Sequence, residues 1–506
     1  MTPTRTPIKP AAFDSELRKL VLVVVIGAAM TILDSTIVNV ALTPLGRDFH
    51  ATLPVIQWAL TGYGLALAMV IPVTGWAVER FGARTTWIAS LVLFIVGSVL
   101  SGAAWNVTAL IAFRVLQGVG GGMVLPVGQI MLARKAGPDR MARVMGVVAI
   151  PTMIGPLLGP VLGGLIMDDL SWRWMFYINV PLCAAALILA WRFLPADRRR
   201  PPARRFDGRG MALLSPGMAF CVYGLSEADA DTVRFGLWTA AGAVCLAAYV
   251  VHARRTDHPL VSLRAFRRRA FAMSTVTMMV YLAAVYGFIV LLPVYFQVVR
   301  GESPMRAGLL LAPLTLGGGI TMAVSGWLAH RVSARWIIMS GMAVVAAGAA
   351  GFTWLTPTTG VLLVAGTLLL ASLGHGAILP TGMGTAYQGM EKAEIPSATA
   401  TFNVVFRVAS SIGTALFATV LQEAVKNRIP GTTSLAAARS LHDPADLALL
   451  ASAFRVSFWA VAAVALIAVI PAFFLPGRAN VSMTSMLVPG GDSDDDEPAP
   501  EPTTVR

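Results

Sequence analysis

The sequence has few charged residues and only three cysteines. Of its 506 residues, 13% are charged and 56% are hydrophobic. Soluble domains carry about 25% charged residues, so a water-soluble globular protein is excluded. The cysteines lie in apolar stretches, which argues against a disulfide framework and a cysteine-based metal site. None of the five lysines follows a glycine, so the phosphate-binding loop of an ATP-driven pump is excluded.

Two further sequence signals are missing. The chain has no nucleophile elbow, which argues against a membrane hydrolase. It also has no segment that resembles a selectivity filter, which makes an ion channel a poor alternative.

Long apolar runs make up most of the chain. Runs of about 18 to 28 mainly apolar residues have the length of membrane-spanning helices, or spans. The first run follows Arg18 and Lys19, but it carries Asp34 and no clean cleavage site follows it, so we interpret it as an uncleaved span. Fourteen runs occur, near residues 20–42, 54–78, 86–104, 108–133, 142–167, 174–194, 209–226, 235–252, 271–298, 306–329, 336–355, 360–387, 397–421 and 452–475.

The formal charge of +13 is distributed unevenly along these runs. With the N-terminus inside, most lysines and arginines fall in the inside segments, as the positive-inside rule requires. An even number of spans then places both termini in the cytoplasm of a cell whose inner (plasma) membrane holds the chain. We therefore expect the basic surplus to face the anionic heads of the lipid bilayer, and we expect no nucleic-acid partner.

Two segments repeat at nearly equal offsets. The segment at Gly75 recurs at Gly326, and the segment at Gly122 recurs at Gly376. Duplication of a six-helix unit explains both repeats and leaves two spans inserted between the halves. The predicted organisation is a cytoplasmic tail (1–19), an N-terminal six-helix bundle (20–194), a basic linker (195–208), two inserted helices (209–252), a basic loop (253–270), a C-terminal six-helix bundle (271–475) and a disordered acidic tail (476–506).

The fifth span is rich in glycine and proline. Such a composition breaks helices in water, but neighbouring helices can satisfy the freed backbone groups in a membrane. Its spacing resembles motif C of the antiporter branch of the major facilitator superfamily, a mark of exporters. The alternative is a small-residue packing helix of another polytopic protein. The residues that carry the resemblance are Gly146, Gly155, Gly159, Pro160, Gly163 and Gly164.

The turn between spans two and three resembles motif A of the same superfamily, with a glutamate in place of the usual aspartate. The resemblance implies a latch on the outward-open state, and the alternative is an ordinary charged hairpin. The second copy of the motif has His330 and Ser333 in place of the acid and a glycine, so we expect it to be weaker. The residues of the first copy are Gly75, Glu79, Arg80, Gly82 and Arg84.

Span one resembles motif D of the fourteen-span drug:H⁺ antiporters of the EmrB/QacA type. Thr31, Asp34, Ser35 and Asn39 fall within one arc of the helix, so we expect this face to line a cavity. An ionisable residue inside a span costs about 2.5–3.5 kcal/mol on insertion scales and is a functional candidate by default. Asp34 is accordingly predicted to bind and release protons. The alternative is a structural hydrogen-bonding role.

Span four contains Arg114 and Gln117 in a segment that resembles motif B, whose arginine serves proton coupling in the family. At 1.5 Å per residue, Arg114 and Asp34 lie at about the same depth of a bilayer core of about 30 Å. We therefore predict that Arg114 favours the ionised form of Asp34 in one state. A purely structural Arg114, bonded to backbone carbonyls, is the alternative.

The C-terminal half adds four candidates for the substrate cavity. Tyr286 and Phe288 in span nine offer aromatic walls for a bulky ligand, although most aromatic residues in spans serve packing. Asn403 and Arg407 lie in span thirteen, in a segment similar to the family's thirteenth span. His375 in span twelve is more often a packing residue than a proton relay.

The motifs together identify the chain as a member of the fourteen-span drug:H⁺ antiporter family. The resemblance implies an all-α membrane protein with the major facilitator fold, two pseudo-symmetric six-helix bundles and two inserted helices. It also implies export of amphipathic, often cationic drugs driven by the proton gradient, with no catalytic residue, metal or cofactor. We expect a monomer. The alternative is a specific exporter of a lipid, siderophore or metabolite.

Overall fold

The computed structural model describes residues 14–197, 206–226, 232–257, 259–261, 263–328, 332–356, 358–391, 394–429 and 444–476. Every regular element in these residues is a helix. Most of the predicted tails and of the basic linker lie outside the described residues, as do His330 and Arg331 of the second motif A copy.

The first half of the chain contains eight helices, and the segment inserted between the two halves contains two. They are α1 (Ser15–Ile37), α2 (Leu42–Asp48), α3 (Leu53–Val70), α4 (Val73–Phe81), α5 (Ala83–Gly102), α6 (Val107–Asp169), α7 (Trp174–Tyr177), α8 (Asn179–Phe193), α9 (Gly208–Ser226) and α10 (Thr232–Arg255).

The second half continues the numbering. It comprises α11 (Arg269–Val294), α12 (Pro304–Leu310), α13 (Ala312–Leu328), α14 (Ala334–Gly351), α15 (Val361–Ala386), α16 (Ile395–Arg428), α17 (Pro444–Ile467) and α18 (Val469–Phe473). A short π-helical segment, Tyr295–Val299, follows α11.

Side-chain caps fix where two of the long helices begin. The Asp14 carboxylate accepts a hydrogen bond of 2.7 Å from the Leu17 amide at the start of α1, and this bond lowers the pKa of Asp14. The Asn106 side chain accepts an equivalent bond of 2.7 Å from the Ala109 amide at the start of α6. These caps satisfy amides that have no partner within the helix.

Ten described helices are long and apolar enough to cross a membrane, and an eleventh span is formed if the bent pair α3–α4 counts as one. The bend of 57° follows Val70, where Pro72 interrupts the helix. The fifth, seventh and tenth predicted spans are not among these helices. Span five is the second part of α6, span ten corresponds to α13 with only 17 residues, and span seven, α9, contains Pro216. The count of fourteen therefore stays a prediction.

Helix α6 holds 63 residues, and a straight helix of that length would extend about 95 Å. Its contacts with α1 show that it reverses direction instead. A Cβ atom on Gly128 would lie 2.6 Å from Val24, whereas one on Gly159 would lie 2.2 Å from Thr36. Lys135, between these glycines, forms an ion pair with Glu16 at the start of α1. The first part of α6 therefore runs antiparallel to α1 and the second part parallel to it, as spans four and five.

One end of the helix bundle collects basic side chains. Lys135 and Arg140 pair with acids at the start of α1, and Lys19 lies 5.4 Å from the centre of the Phe193 ring at the end of α8. Asp197, just beyond α8, binds the start of α5. We call this end of the bundle the basic end, and it corresponds to the predicted cytoplasmic side.

The two halves meet through close helix contacts. Helix α6 packs against α13 and α15, while α16 packs against α4 and α6. The inserted helix α9 contacts α3 of the first half and α16 of the second. The Ser215 hydroxyl in α9 donates a hydrogen bond of 2.7 Å to the Met69 carbonyl in α3. The insertion therefore lies along the seam between the halves.

The glycines of the predicted motif C provide the contact between α6 and α1. Added Cβ atoms on Gly155 and Gly159 would lie 2.2 Å from Ile32 and Thr36, and the Thr36 hydroxyl donates a 3.2 Å hydrogen bond to the Gly155 carbonyl. Gly146 faces the other half, where its Cβ atom would lie 3.1 Å from the Met322 carbonyl oxygen. The Pro160 side chain lies outside what the structure describes.

This packing predicts that Gly159→Ala destabilises the protein by about 1–3 kcal/mol, because the added methyl group overpacks the contact with Thr36. Thermal unfolding of the purified protein in detergent measures the effect. The matched control is Gly164→Ala, since nothing lies within 4 Å of a Cβ atom at that position. Equal unfolding temperatures for the two variants would contradict the described packing.

Candidate functional site

Asp34 lies in the middle of a hydrogen-bonded cluster inside the first half. Its Oδ2 atom accepts a bond of 2.7 Å from Arg114 Nη1. Its Oδ1 atom accepts one bond of 2.8 Å from Gln117 Nε2 and one of 2.7 Å from Asn179 Nδ2. All four side chains are fully buried. Helices α1, α6 and α8 therefore converge on a single carboxylate.

Arg114 makes contacts of three kinds. Besides its ion pair with Asp34, its Nη1 atom donates to Gln117 Oε1 at 2.7 Å and its Nε atom donates to the Ala59 carbonyl at 3.2 Å. The guanidinium also lies 4.1 Å from the centre of the Tyr63 ring, within the range of a cation–π interaction. The ion pair with Asp34, which the matching depths predicted, is therefore present. A bond to a backbone carbonyl, which the structural alternative predicted, is present as well.

Sequence reasoning missed Asn179, Ser98 and Tyr63 as members of this cluster. Asn179 donates to Ser98 Oγ at 3.0 Å, and Ser98 donates to the Phe176 carbonyl at 2.8 Å. Asn179 follows a short aromatic segment, residues 172–177, in the sequence. An amide at the start of an apolar run was the available signal. Ser98 and Tyr63 had no comparable signal, because hydroxyl groups in spans commonly bind their own helix.

Three atoms of the cluster lack a hydrogen-bond partner among the described residues. They are Arg114 Nη2, Tyr63 Oη and Asn179 Oδ1, and each is buried. Unpaired buried polar groups cost free energy, so the cluster is not at its hydrogen-bonding optimum.

Asp34 and Thr31 on the polar face of α1 are buried in this conformation. Thr31 is 5% exposed and donates to the Ala28 carbonyl of its own helix. Ser35 is partly buried and donates to the Ile32 carbonyl. The side chain of Asn39 lies outside what the structure describes. A cavity role for these residues, and for the buried Gln117, stays a prediction.

The four candidates of the second half fall in different environments. Asn403 donates to Gln129 Oε1 of α6 at 2.7 Å, and Arg407 Nη2 approaches the Gly64 carbonyl of α3 at 3.4 Å. Tyr286 is 42% exposed.

Phe288 is buried in an aromatic cluster within the second half, 5.5 Å from the Phe352 ring and 5.9 Å from the Phe458 ring. Phe288 therefore serves packing in this conformation, and its predicted role as a cavity wall is not visible.

Motif A lies at the basic end and is held by an acid that sequence reasoning did not single out. The Asp197 carboxylate accepts bonds from the amides of Arg84 and Thr85 at 3.2 and 2.9 Å. Gly82 adopts φ +96°, and a Cβ atom there would lie 2.0 Å from the Asp197 carboxyl carbon. Only glycine fits this turn, because the conformation and the approaching carboxylate both exclude a side chain.

Other motif A residues contact the rest of the molecule. The Arg84 guanidinium donates to the Trp191 carbonyl at 3.0 Å. Glu79 takes part in a polar or electrostatic interaction, and Arg80 lies in the last turn of α4. A Cβ atom on Gly75 would lie 3.0 Å from the Pro396 carbonyl oxygen of α16. Motif A therefore sits where the two halves touch at the basic end.

No group of three or more histidine, cysteine, aspartate or glutamate residues in the described part of the chain is arranged to hold a metal ion. The candidate site in these residues consists of hydrogen bonds and the buried ion pair between Asp34 and Arg114.

Comparisons with known proteins place this geometry in context. The model of the Major Facilitator Superfamily matches residues 24–414. The chain is 37% identical over 420 residues to the "Multidrug resistance protein B homolog" of Mycobacterium tuberculosis (strain ATCC 25618 / H37Rv), covering 81% of this chain and 77% of that protein. It is 31% identical over 321 residues to the "Putative multidrug resistance protein MdtD" of Escherichia coli O81 (strain ED1a), covering 63% and 68%.

A solved structure shares the fold at low sequence identity. The proton:xylose symporter XylE, bound to 6-bromo-6-deoxy-D-glucose, superimposes with a TM-score of 0.62 at 14% identity, covering 92% of this chain and 96% of that one.

The buried cluster predicts that Arg114→Gln destabilises the protein by about 3–5 kcal/mol, because the substitution leaves the Asp34 carboxylate buried without its counter-charge. The double variant with Asp34→Asn should recover most of this loss. Thermal unfolding of wild type, both single variants and the double variant completes the cycle. Additive losses in the double variant would show that the two side chains do not interact.

Proposed function

The chain belongs to the major facilitator superfamily, and we propose from this premise that it is a proton-coupled exporter of amphipathic small molecules. The observation that carries the proposal is the buried carboxylate of Asp34, held by Arg114, Gln117 and Asn179. The chain is a multi-pass membrane protein of a transporter family, and it has relatives named for multidrug resistance.

The chemistry of Asp34 suits a proton carrier. A buried ion pair contributes little net stability, because desolvation of both charges offsets their attraction. Protonation of Asp34 removes one charge and leaves Arg114 with Gln117, the Ala59 carbonyl and the Tyr63 ring. The two protonation states therefore favour different positions of Arg114. A group whose charge state selects a side-chain arrangement can couple a proton gradient to a conformational change.

Tyr63 and Gly64 in α3 offer a path from the proton site to the seam between the halves. The Tyr63 ring stacks on Arg114, and the next residue, Gly64, presents its carbonyl to Arg407 of the second half. A shift of Arg114 would move the ring and, with it, the backbone that meets Arg407. Protonation of Asp34 would then change the contact of α3 with α16.

Contacts near the basic end would close the exporter on that side. Gly75 meets Pro396, Gln129 bonds Asn403, and Gly64 meets Arg407, in order of increasing distance from the basic end. If the basic end is cytoplasmic, as the positive-inside rule predicts, this conformation is closed to the cytoplasm. Loss of these contacts would admit the exported compound from inside the cell.

The proposal predicts that Asp34→Asn abolishes proton-driven transport but preserves the fold, because asparagine keeps the size of the side chain and cannot cycle between charge states. Proton-driven transport is measured as the movement of a fluorescent dye across the membrane of proteoliposomes on which a pH gradient is imposed. The matched control is Asp48→Asn, since Asp48 is the last residue of α2, beyond the end of α1 that lies away from the basic end, and is about half exposed. Wild-type coupling in Asp34→Asn would remove Asp34 from the mechanism.

The closure at the basic end gives a second prediction. Gly75→Leu should separate the halves there, because a leucine side chain cannot fit against the Pro396 carbonyl. Spin labels at Phe81 and Glu391, which are exposed on the two halves, should report a longer distance by pulsed electron paramagnetic resonance. Gly164→Leu is the control. An unchanged distance distribution would show that Gly75 does not hold the two halves together.

A further inference from the structure

We propose that Arg407 binds an anionic group of the exported compound, so that the cargo is an amphipathic carboxylate or sulfonate. The proposal rests on the export function given above and names its substrate class. It follows from the position of an unpaired guanidinium at the seam between the halves.

Arg407 has far fewer partners than Arg114. A guanidinium carries five N–H donors, yet the one hydrogen bond that Arg407 donates to a described residue goes to the Gly64 carbonyl, at 3.4 Å. Its Nε atom is buried and has no partner among the described residues. None of the ion pairs found in the described part of the chain includes Arg407. An arginine inside a membrane is normally paired, because its charge is costly there.

The groups around Arg407 suit an amphipathic anion. Tyr63 and Tyr286 both lie close enough to interact with it electrostatically. The Tyr63 hydroxyl has no partner among the described residues, and Tyr286 is 42% exposed. One turn before Arg407, Asn403 is held by Gln129 and by the Thr399 carbonyl. The site thus combines one cation, phenol groups that can donate hydrogen bonds, and aromatic surface. The bond between Asn403 and Gln129 closes the seam on the side toward the basic end.

The described carboxylates do not offer an equivalent site for a cation. Asp34 is fully buried and already paired with Arg114. Glu423 lies on the same helix as Arg407 but about 24 Å further along it, at 1.5 Å per residue. A cationic compound at the seam would therefore meet the Arg407 charge without compensation. An anionic compound would neutralise that charge and use its free donors.

The direction of charge movement supports the same assignment. An anion that leaves the cell and a proton that enters both move with an inside-negative membrane potential. Exchange of the two is therefore driven by the potential as well as by the pH difference. A cation leaving in exchange for one proton would gain nothing from the potential.

The test compares two dyes built on one xanthene scaffold, the anion fluorescein and the cation rhodamine 123. Their affinities for the purified protein in lipid nanodiscs are measured by fluorescence polarisation, without a proton gradient. We expect wild type to bind fluorescein at least about tenfold more tightly, a difference of about 1.4 kcal/mol. Arg407→Gln should remove this preference, and Arg407→Lys should retain most of it. Arg428→Gln, near the end of the same helix, should leave it unchanged.

The outcomes separate this proposal from the export proposal. Equal or tighter binding of rhodamine 123 by wild type would overturn the anion site, as would an unchanged preference in a folded Arg407→Gln. If Arg407→Gln does not fold, the wild-type preference and Arg407→Lys decide the question. Asp34→Asn is assayed for proton-driven transport and tests the export proposal, whereas the wild-type preference for fluorescein tests the anion site. Loss of proton-driven transport with the preference intact supports both proposals, and retained coupling in Asp34→Asn defeats only the export mechanism.

Discussion

The cost of holding a carboxylate in an apolar interior organises the first half of this molecule. Asp34 cannot stay ionised there without donors, and Arg114, Gln117 and Asn179 supply them from two other helices. Those donors in turn need α3 and α5, through the Ala59 carbonyl and Ser98. One charge thus fixes the relative rotation of five helices. A change in that charge would act on all five helices through the hydrogen bonds that they share.

Small residues make this convergence geometrically possible. Helices in lipid gain little from hydrophobic burial against each other, so close van der Waals contact has to hold them. Gly27 and Gly128 let α1 approach Trp87 and α6, and Gly155 and Gly159 let the second part of α6 lie against the opposite side of α1. Helix α1 is therefore enclosed by α6 on two sides. The charged cluster is placed by glycine contacts that carry no charge themselves.

Much of this arrangement could be predicted from the sequence, and the limits have physical causes. The depth of Asp34 and Arg114 followed from helix rise, and the glycine spacing indicated a closely packed fifth span without identifying α1 as its partner. The partners Asn179 and Ser98 could not be found in this way, because they depend on which faces of α5 and α8 turn inward. Phe288 gave an aromatic signal that fits a cavity wall and a packed core equally well. The reversal within α6 was predicted from the charged segment between spans four and five, although the helix continues through that segment.

The inserted helix α9 touches both halves, with a hydrogen bond from Ser215 to α3 and packing against α16. Any tilt of one half relative to the other has to slide along α9 on at least one side. Lipids that press on α9 and α10 would act on that sliding contact directly. The thickness and lateral pressure of the surrounding bilayer would therefore bear on the contact between the two halves through the inserted helices.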